Sequence, residues 1–162
     1  MQVIVIGGGA AGMLAAGTAL ALGAEVCVFE HRDRTLLKLG MTGKGRCNLT
    51  NNAAVPELIE SVVHNPRFLY TAFSRFSAQD TMSLFESLGV PLKTERGRRV
   101  FPVSDKAKTV VDALKAYAKD SGVRAVQDNV LYVKSTDNGF ILDLDYVQQY
   151  QTNVAVDFKI LD

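Results

Sequence analysis

Residues 1–30 read MQVIVIGGGAAGMLAAGTALALGAEVCVFE, and this stretch decides the fold. It begins with a short run of β-branched apolar residues, which is typical of a buried strand. A glycine turn follows, then a helix-favouring segment that Gly23 ends, then a second apolar run. The predicted elements are a strand at Val3–Ile6, a helix at Ala10–Leu22 and a strand at Glu25–Phe29. This order starts a βαβ unit, so the sequence predicts an α/β fold built on a parallel sheet.

Three spaced glycines predict a dinucleotide site at the turn. Gly7, Gly9 and Gly12 have the spacing G-x-G-x-x-G. The first glycine allows a tight turn, the second lets backbone approach a pyrophosphate, and the third lets the helix lie close to the strand. Glu30 stands at the end of the second strand, where a carboxylate accepts hydrogen bonds from a ribose diol. The alternative is a glycine turn with a structural role only.

The bulk composition indicates one domain, 1–162, with one core. The net charge of +1 predicts no nucleic-acid partner and no membrane-surface partner. Two cysteines form no disulfide framework and no metal-ligand spacing exists, so we predict no metal site and a reducing compartment. The N-terminus lacks the basic region of a signal peptide, and we expect a cytoplasmic protein. Composition gives no indication of the oligomeric state.

The middle of the chain combines a polar loop with a helical insertion over about 53–90. Residues 38–52, KLGMTGKGRCNLTNN, favour irregular backbone, and such a loop after a nucleotide-binding start is usually functional. Three helices are predicted: one from Pro56, one after an Asn65 N-cap with Pro66 in its first turn, and one capped by Ser77. Apolar residues at helical spacing predict a packed face formed by Phe68, Phe73, Phe76, Leu84, Phe85 and Leu88.

The remaining elements return the chain to the sheet. Two short strands are predicted around the turn at residues 95–97, followed by a helix over 105–119 with Ser104 as its N-cap. A strand over 123–127 is then expected as the third parallel strand of the nucleotide-binding sheet. Residues 130–136, 140–146 and 154–160 predict an antiparallel β-meander whose first turn contains Asn138-Gly139.

Three motifs together resemble one bacterial flavoprotein family. MQVIVIGGGAAGMLAA, KLGMTGKGRCNLTNN and RGRRVFPVSDKAKTVVDAL are similar to proteins described as NAD(P)/FAD-dependent oxidoreductases or aminoacetone oxidase family FAD-binding enzymes, which include a 3-dehydro-bile acid Δ4,6-reductase. The resemblance covers about residues 1–135 and implies a Rossmann-like, glutathione-reductase-like FAD-binding domain. Full members are about twice as long or more, and the tail QYQTNVAVDFKILD does not match them. We therefore expect a truncated, N-terminal portion of that architecture.

The resemblance also implies a cofactor and a set of residues that bind it. The cofactor is FAD, with NAD(P)H as a candidate reductant and a small molecule as the substrate. No residue stands out as a general acid or base. The implied cofactor-binding residues are Gly7, Gly9, Ala10, Ala11 and Gly12 at the phosphates, Glu30 at the ribose, Lys38, Thr42, Gly43, Lys44, Gly45, Arg46, Cys47 and Asn48 in the flavin-facing loop, and Val130 at the adenine edge.

Several alternatives stay open from the sequence. Lys44 and Arg46 would suit the anionic reduced flavin, or they are solvated loop charges. Cys47 is a redox-thiol candidate without a partner close in sequence. The arginines at 96, 98 and 99 form a solvated turn or meet a phosphate. At the level of function, the alternatives to a flavin-dependent oxidoreductase are a non-catalytic remnant and a free-standing NAD-binding reductase.

Overall fold

The computed structural model describes residues 1–120, 122–137 and 139–145. The chain divides into two compact units. Unit 1 contains Met1–Leu37 and the chain from Leu114 onward, and unit 2 contains Lys38–Ala113. The prediction of one domain over 1–162 stays a prediction.

Unit 1 is built on a three-stranded parallel sheet of order β1-β2-β6. In register, Ile4 lies opposite Cys27 and Val28 lies opposite Ala125. The predicted third strand of the nucleotide-binding sheet is therefore confirmed. The elements of this unit are β1 (Gln2–Ile6), α1 (Ala10–Ala21), β2 (Glu25–Glu30), the end of α6 (Ala107–Asp120), β6 (Arg124–Gln127), β7 (Val130–Thr136) and β8 (Gly139–Leu144).

The two faces of this sheet are covered by different structures, because side chains alternate along a strand. On one face Ile4 and Phe29 are buried, and apolar residues of the β7–β8 hairpin pack against them. On the other face α1 lies so close that a Cβ at Gly12 would meet a methyl of Val5. Helix α1 also touches α6, since a Cβ at Gly17 would overlap the Tyr117 ring. The predicted Rossmann-like arrangement is confirmed in this unit.

Unit 2 carries a small antiparallel sheet of order β3-β5-β4 beside short helices. Val100 and Phe101 of its central strand are buried, as are Val90 and Phe85. The Ser77 cap is confirmed, because its hydroxyl accepts a hydrogen bond from the Asp80 N–H at 3.2 Å. The elements are α2 (Leu37–Gly45), β3 (Thr50–Asn51), α3 (Val55–Glu60), α4 (Pro66–Arg75), α5 (Ala78–Ser87), β4 (Leu92–Glu95), a 3₁₀ turn (Arg96–Arg98), β5 (Arg99–Pro102) and the start of α6.

The structure corrects three local predictions. The irregular loop expected over 38–52 begins as helix α2, because Leu37, Lys38, Leu39 and Met41 are good helix formers; backbone becomes non-helical at Thr42. Asn65 adopts a left-handed conformation and its side chain caps nothing. Helix α6 begins at Ala107, two residues later than predicted, because Asp105 has a φ of 54° that no helix accommodates.

The packed apolar face predicted for residues 68–88 is wrong in part. Phe85 is buried, whereas Phe68 and Phe76 are exposed. Phe73, Leu84 and Leu88 are half-buried as predicted, and Leu69 is half-buried as well, so the buried side of α4 is narrower than the sequence pattern indicates. At the C-terminal end, the β7–β8 hairpin is confirmed, while Asn138 and the strand predicted at 154–160 lie outside the described residues.

Candidate dinucleotide site

The glycine turn of unit 1 joins β1 to α1 in a conformation that two of its glycines require. Gly7 has a φ of +101°, and its N–H donates to the Phe29 carbonyl oxygen at 2.8 Å. A Cβ at Gly12 would collide with the Gly7 carbonyl oxygen. These two glycines are therefore needed for the turn itself, whatever it binds.

Gly9 is different, because a Cβ there would meet nothing within 4 Å. It is the N-cap residue of α1, with a φ of −76° that any residue adopts, and no side chain of the described chain caps this helix. Ala10 and Ala11 in the first turn are exposed, and no side-chain cap of the described chain accepts from the N–H groups of this turn. An uncapped helix N-terminus with clear access is suited to a phosphate group.

Glu30 is held beside the turn by backbone hydrogen bonds. One carboxylate oxygen accepts from the Gly8 N–H at 2.9 Å, and the other accepts from the Arg32 N–H at 2.9 Å. His31 Nδ1 lies 3.0 Å from the same carboxylate. A carboxylate has about four acceptor positions, so Glu30 can still accept hydrogen bonds from a diol.

Gly8 is a site residue that the spacing rule missed. A Cβ there would lie 2.6 Å from a methyl of Thr35, and the Gly8 carbonyl oxygen accepts from the Leu36 N–H at 2.8 Å. Gly8 therefore connects the turn to Glu30 on one side and to the segment after β2 on the other. The run of three glycines at 7–9 was the available signal, because the dinucleotide pattern uses only two of them.

In unit 2, the segment Thr42–Asn48 has an unusual backbone. Gly43, Lys44, Gly45 and Cys47 all have positive φ, between 56° and 83°. Lys44 and Cys47 adopt it at a steric cost, since only glycine enters this region freely. The turn is closed by hydrogen bonds from Cys47 N–H to the Thr42 carbonyl oxygen and from Arg46 N–H to the Gly43 carbonyl oxygen.

Arg46 is held by a network of charged groups within unit 2. Its guanidinium donates to Asp105 at 2.8 Å and pairs with Glu95 at 2.5 Å, and it lies 4.2 Å above the centre of the Phe101 ring. Lys93 completes the network through Asp105 at 2.6 Å. These hydrogen bonds raise the pKa of Arg46 and lower the pKa values of Glu95 and Asp105. The guanidinium therefore already has protein partners.

The other loop residues differ in their exposure and in whether they contact other protein groups. Lys38 and Lys44 are exposed and form no ion pair within the described chain. Cys47 is buried, and burial raises the pKa of its thiol above the ordinary value, which disfavours the reactive thiolate. The amide of Asn48 lies 3.2 Å from the carbonyl oxygens of Val100 and Thr50, to which its nitrogen donates.

Three further candidate residues from the sequence also contact other parts of the protein. Val130, the adenine-edge candidate in unit 1, is half-buried against the cluster of Ile4 and Phe29. In unit 2, Arg98 pairs with Glu57 at 2.5 Å, and Arg99 Nε donates to the Arg96 carbonyl oxygen at 3.1 Å. The binding roles of all these residues stay predictions.

The family is decided by a match over nearly the whole chain. Residues 1–156 match the model described as the HI0933-like protein Rossmann domain. The chain belongs to the HI0933-like Rossmann family. No helix in the described ranges has the length and apolar character to cross a membrane.

The relatives of this HI0933-like chain include enzymes named for two different substrates, a bile acid and ribosomal RNA. The 3-dehydro-bile acid delta(4,6)-reductase of Clostridium scindens is 33% identical over 87% of the chain and 34% of its own length. The ribosomal RNA dihydrouridine synthase of Escherichia coli K12 is 32% identical over 88% of the chain and 35% of its own length. The chain thus spans about a third of the length of these relatives.

Solved structures agree with this HI0933-like chain in fold. A flavocytochrome c3 fumarate reductase in an open conformation has a TM-score of 0.64 at 21% identity, covering 85% of this chain and 28% of its own. The 3-ketosteroid-delta4-(5alpha)-dehydrogenase of Rhodococcus jostii RHA1 has a TM-score of 0.63 at 16% identity, covering 86% and 41%. Both of these oxidoreductase structures therefore share the Rossmann architecture of this chain.

Proposed function

We propose that this chain is the FAD-binding portion of a flavin-dependent oxidoreductase. The observation that carries the proposal is the uncapped start of α1 behind Gly9, open to a ligand and next to the Glu30 carboxylate. In this proposal the turn Gly7–Gly12 binds the pyrophosphate through backbone N–H groups, and Glu30 binds the ribose diol. FAD rather than NAD is favoured by the family and by the GKGRC loop.

The proposed reaction is hydride transfer between NAD(P)H and an organic substrate with an electron-poor carbon–carbon double bond. Both relatives support this class, because delta(4,6)-reductase and dihydrouridine synthase are names for adding hydrogen across such a bond. Bound FAD would supply the two-electron carrier, while the chain's own share is to bind and orient it. We propose a small-molecule substrate and a cytoplasmic location.

The absorbance spectrum of the purified chain, before and after FAD addition and desalting, tests the cofactor. We expect retained flavin, and we expect the Gly9→Ala variant to retain much less while unfolding at the same temperature. A chain that stays colourless would contradict the proposal and favour a non-catalytic remnant. NADH binding without flavin, measured by calorimetry, would favour an NAD-binding reductase instead.

A second candidate keeps the same cofactor site and takes RNA as the substrate, as the name of the Escherichia coli relative describes for that protein. The charge distribution favours it. Residues 38–113 carry eleven Lys and Arg against seven Asp and Glu, a charge of +4, whereas the rest carries seven against ten, a charge of −3. The expectation of no nucleic-acid partner relied on the net charge of +1, which averages these two regions.

A further inference from the structure

Helix α4 exposes aromatic and basic side chains together. We call Arg67, Phe68, Tyr70, Thr71 and Arg75 the α4 surface, and all five are exposed. Phe68 is 81% exposed and Tyr70 is 60% exposed. Large apolar side chains grouped on a surface mark interaction sites more often than single ones do.

The arrangement on the helix is regular. At about 100° per residue, Phe68 and Tyr70 lie at the two borders of the exposed side. Arg67, Thr71 and Arg75 occupy the strip between them, because they are four residues apart. Leu69 and Phe73 are half-buried on the opposite side, so packing of α4 does not depend on the exposed aromatic rings.

Among the residues that the structure describes, no acidic side chain pairs with these arginines. Residues 61–79 contain no Asp or Glu, and neither Arg67 nor Arg75 forms an ion pair with the described chain. By contrast, Arg46 and Arg98 of the same unit both pair with carboxylates. The α4 surface is therefore an uncompensated positive strip bordered by aromatic rings, within a unit whose charge is +4.

We propose that the α4 surface binds a single-stranded segment of RNA. Bases would stack on Phe68 and Tyr70, while Arg67 and Arg75 would pair with the phosphates of a strand that crosses the helix. Exposed aromatic rings beside cations are the usual means of binding unpaired nucleic acid. A strand of alternating phosphates and bases fits this surface better than an apolar protein face, which would leave both arginines unpaired. The proposal deepens the proposed function with RNA as the substrate.

The test is fluorescence anisotropy of a labelled 12-nucleotide single-stranded RNA of mixed sequence, titrated with the 162-residue chain. We expect Phe68→Ala and Tyr70→Ala each to weaken binding about tenfold, whereas Phe68→Tyr, which keeps a ring, retains it. Arg67→Gln and Arg75→Gln should each weaken binding and reduce the slope against log salt by about 0.7. The matched control is Tyr132→Ala with Lys134→Gln, exposed residues of β7 that should change nothing.

Three results would overturn the proposal. One is no RNA binding by the parent chain. Another is equal binding by the parent and both aromatic variants, since charge alone would then explain the affinity. The third is a dimer in light scattering that Phe68→Ala converts to a monomer, because a second copy would then cover the surface. FAD retention is measured on every sample, so a failure of RNA binding is distinguished from a failure of the cofactor site.

Discussion

Two glycine-rich segments of this chain are held in place by different means. The turn Gly7–Gly12 in unit 1 is held through its own backbone groups: the Gly7 N–H, the close approach of Gly12 to the Gly7 carbonyl oxygen, and the Gly8 N–H, which donates to the Glu30 carboxylate. The segment Thr42–Asn48 in unit 2 closes on two backbone hydrogen bonds of its own and is also held by side chains far away in sequence, since Arg46 reaches Glu95 and Asp105. Both are predicted to face a cofactor, but only the second depends on ion pairs with carboxylates 49 and 59 residues away.

A sequence pattern therefore predicts the structure of the turn Gly7–Gly12 better than that of the segment Thr42–Asn48. A backbone-held turn needs particular residues at particular spacings, so its pattern is visible locally. A segment held by distant ion pairs needs only complementary charges that the fold brings together. Substitutions should accordingly damage the two segments by different amounts and under different conditions.

The largest effect is expected at Gly12. A valine there would place its side chain against the Gly7 carbonyl oxygen and a methyl of Val5, neither of which can move without shifting β1. We expect Gly12→Val to lower the free energy of unfolding by about 3 kcal/mol or to prevent folding. Urea unfolding followed by circular dichroism measures this loss.

Gly9→Ala is the matched control in the same turn. Its Cβ meets nothing within 4 Å and its φ suits alanine, so stability should not decrease. Equal loss of stability in both variants would mean that the turn is not held by the Gly12 contact.

A smaller effect is expected at Glu30, and on ligand affinity rather than folding. In Glu30→Gln the amide keeps one acceptor oxygen but presents NH2 to one of the two N–H groups, of Gly8 and Arg32, that need an acceptor, and the negative charge for the ribose is lost. We expect FAD affinity to fall about tenfold, measured by quenching of flavin fluorescence. Glu25→Gln, at the exposed start of β2, serves as the control. Unchanged FAD affinity in Glu30→Gln would exclude Glu30 from the ribose site.

The segment in unit 2 should respond to acid. Hydrogen bonds from Arg46 lower the pKa of Glu95, and those from Lys93 and Arg46 lower that of Asp105. A lowered folded-state pKa means that the stabilisation is complete above the unfolded-state pKa of about 4 and is lost as the pH falls through the folded-state value. We expect Asp105→Asn to lower the urea midpoint slightly at pH 7, with the difference from the parent chain vanishing in acid.

Asp143→Asn, an exposed aspartate of β8, is the control for that series. Glu57 and Asp80 also have lowered pKa values, so the parent chain itself loses stability in acid, and only the difference between variants reports on the network. A difference that persists unchanged to low pH would show that Asp105 acts through packing instead of charge.

Much of the fold was predictable because the patterns that indicate its elements lie close together in the sequence. The individual strands of the parallel sheet, α1, the Ser77 cap and the β7–β8 hairpin are each indicated by residues within one element or one turn, although the sheet itself joins distant strands, with Cys27 opposite Arg124. The sequence could not show that Arg46 pairs across 49 and 59 residues with Glu95 and Asp105. It also placed Phe68 and Phe76 inside, because helical spacing indicates an apolar stripe without indicating what covers it.

The smallest effect is expected at Lys44. It distinguishes the role of Lys44 from that of Arg46, the other cation of the segment Thr42–Asn48. Lys44 is exposed, forms no ion pair in the described ranges and has a φ of 58°, which asparagine adopts more readily than lysine. Lys44→Asn should therefore leave the unfolding midpoint unchanged or slightly raised. If Lys44 faces the flavin, the same variant should still bind FAD more weakly than the parent chain in calorimetry, whereas Lys134→Gln, at an exposed position of β7, should bind it equally well. Unaltered FAD affinity would mean that this segment contacts the flavin only through backbone N–H groups. Neither cation would then bind the cofactor, because Arg46 already pairs with Glu95 and Asp105.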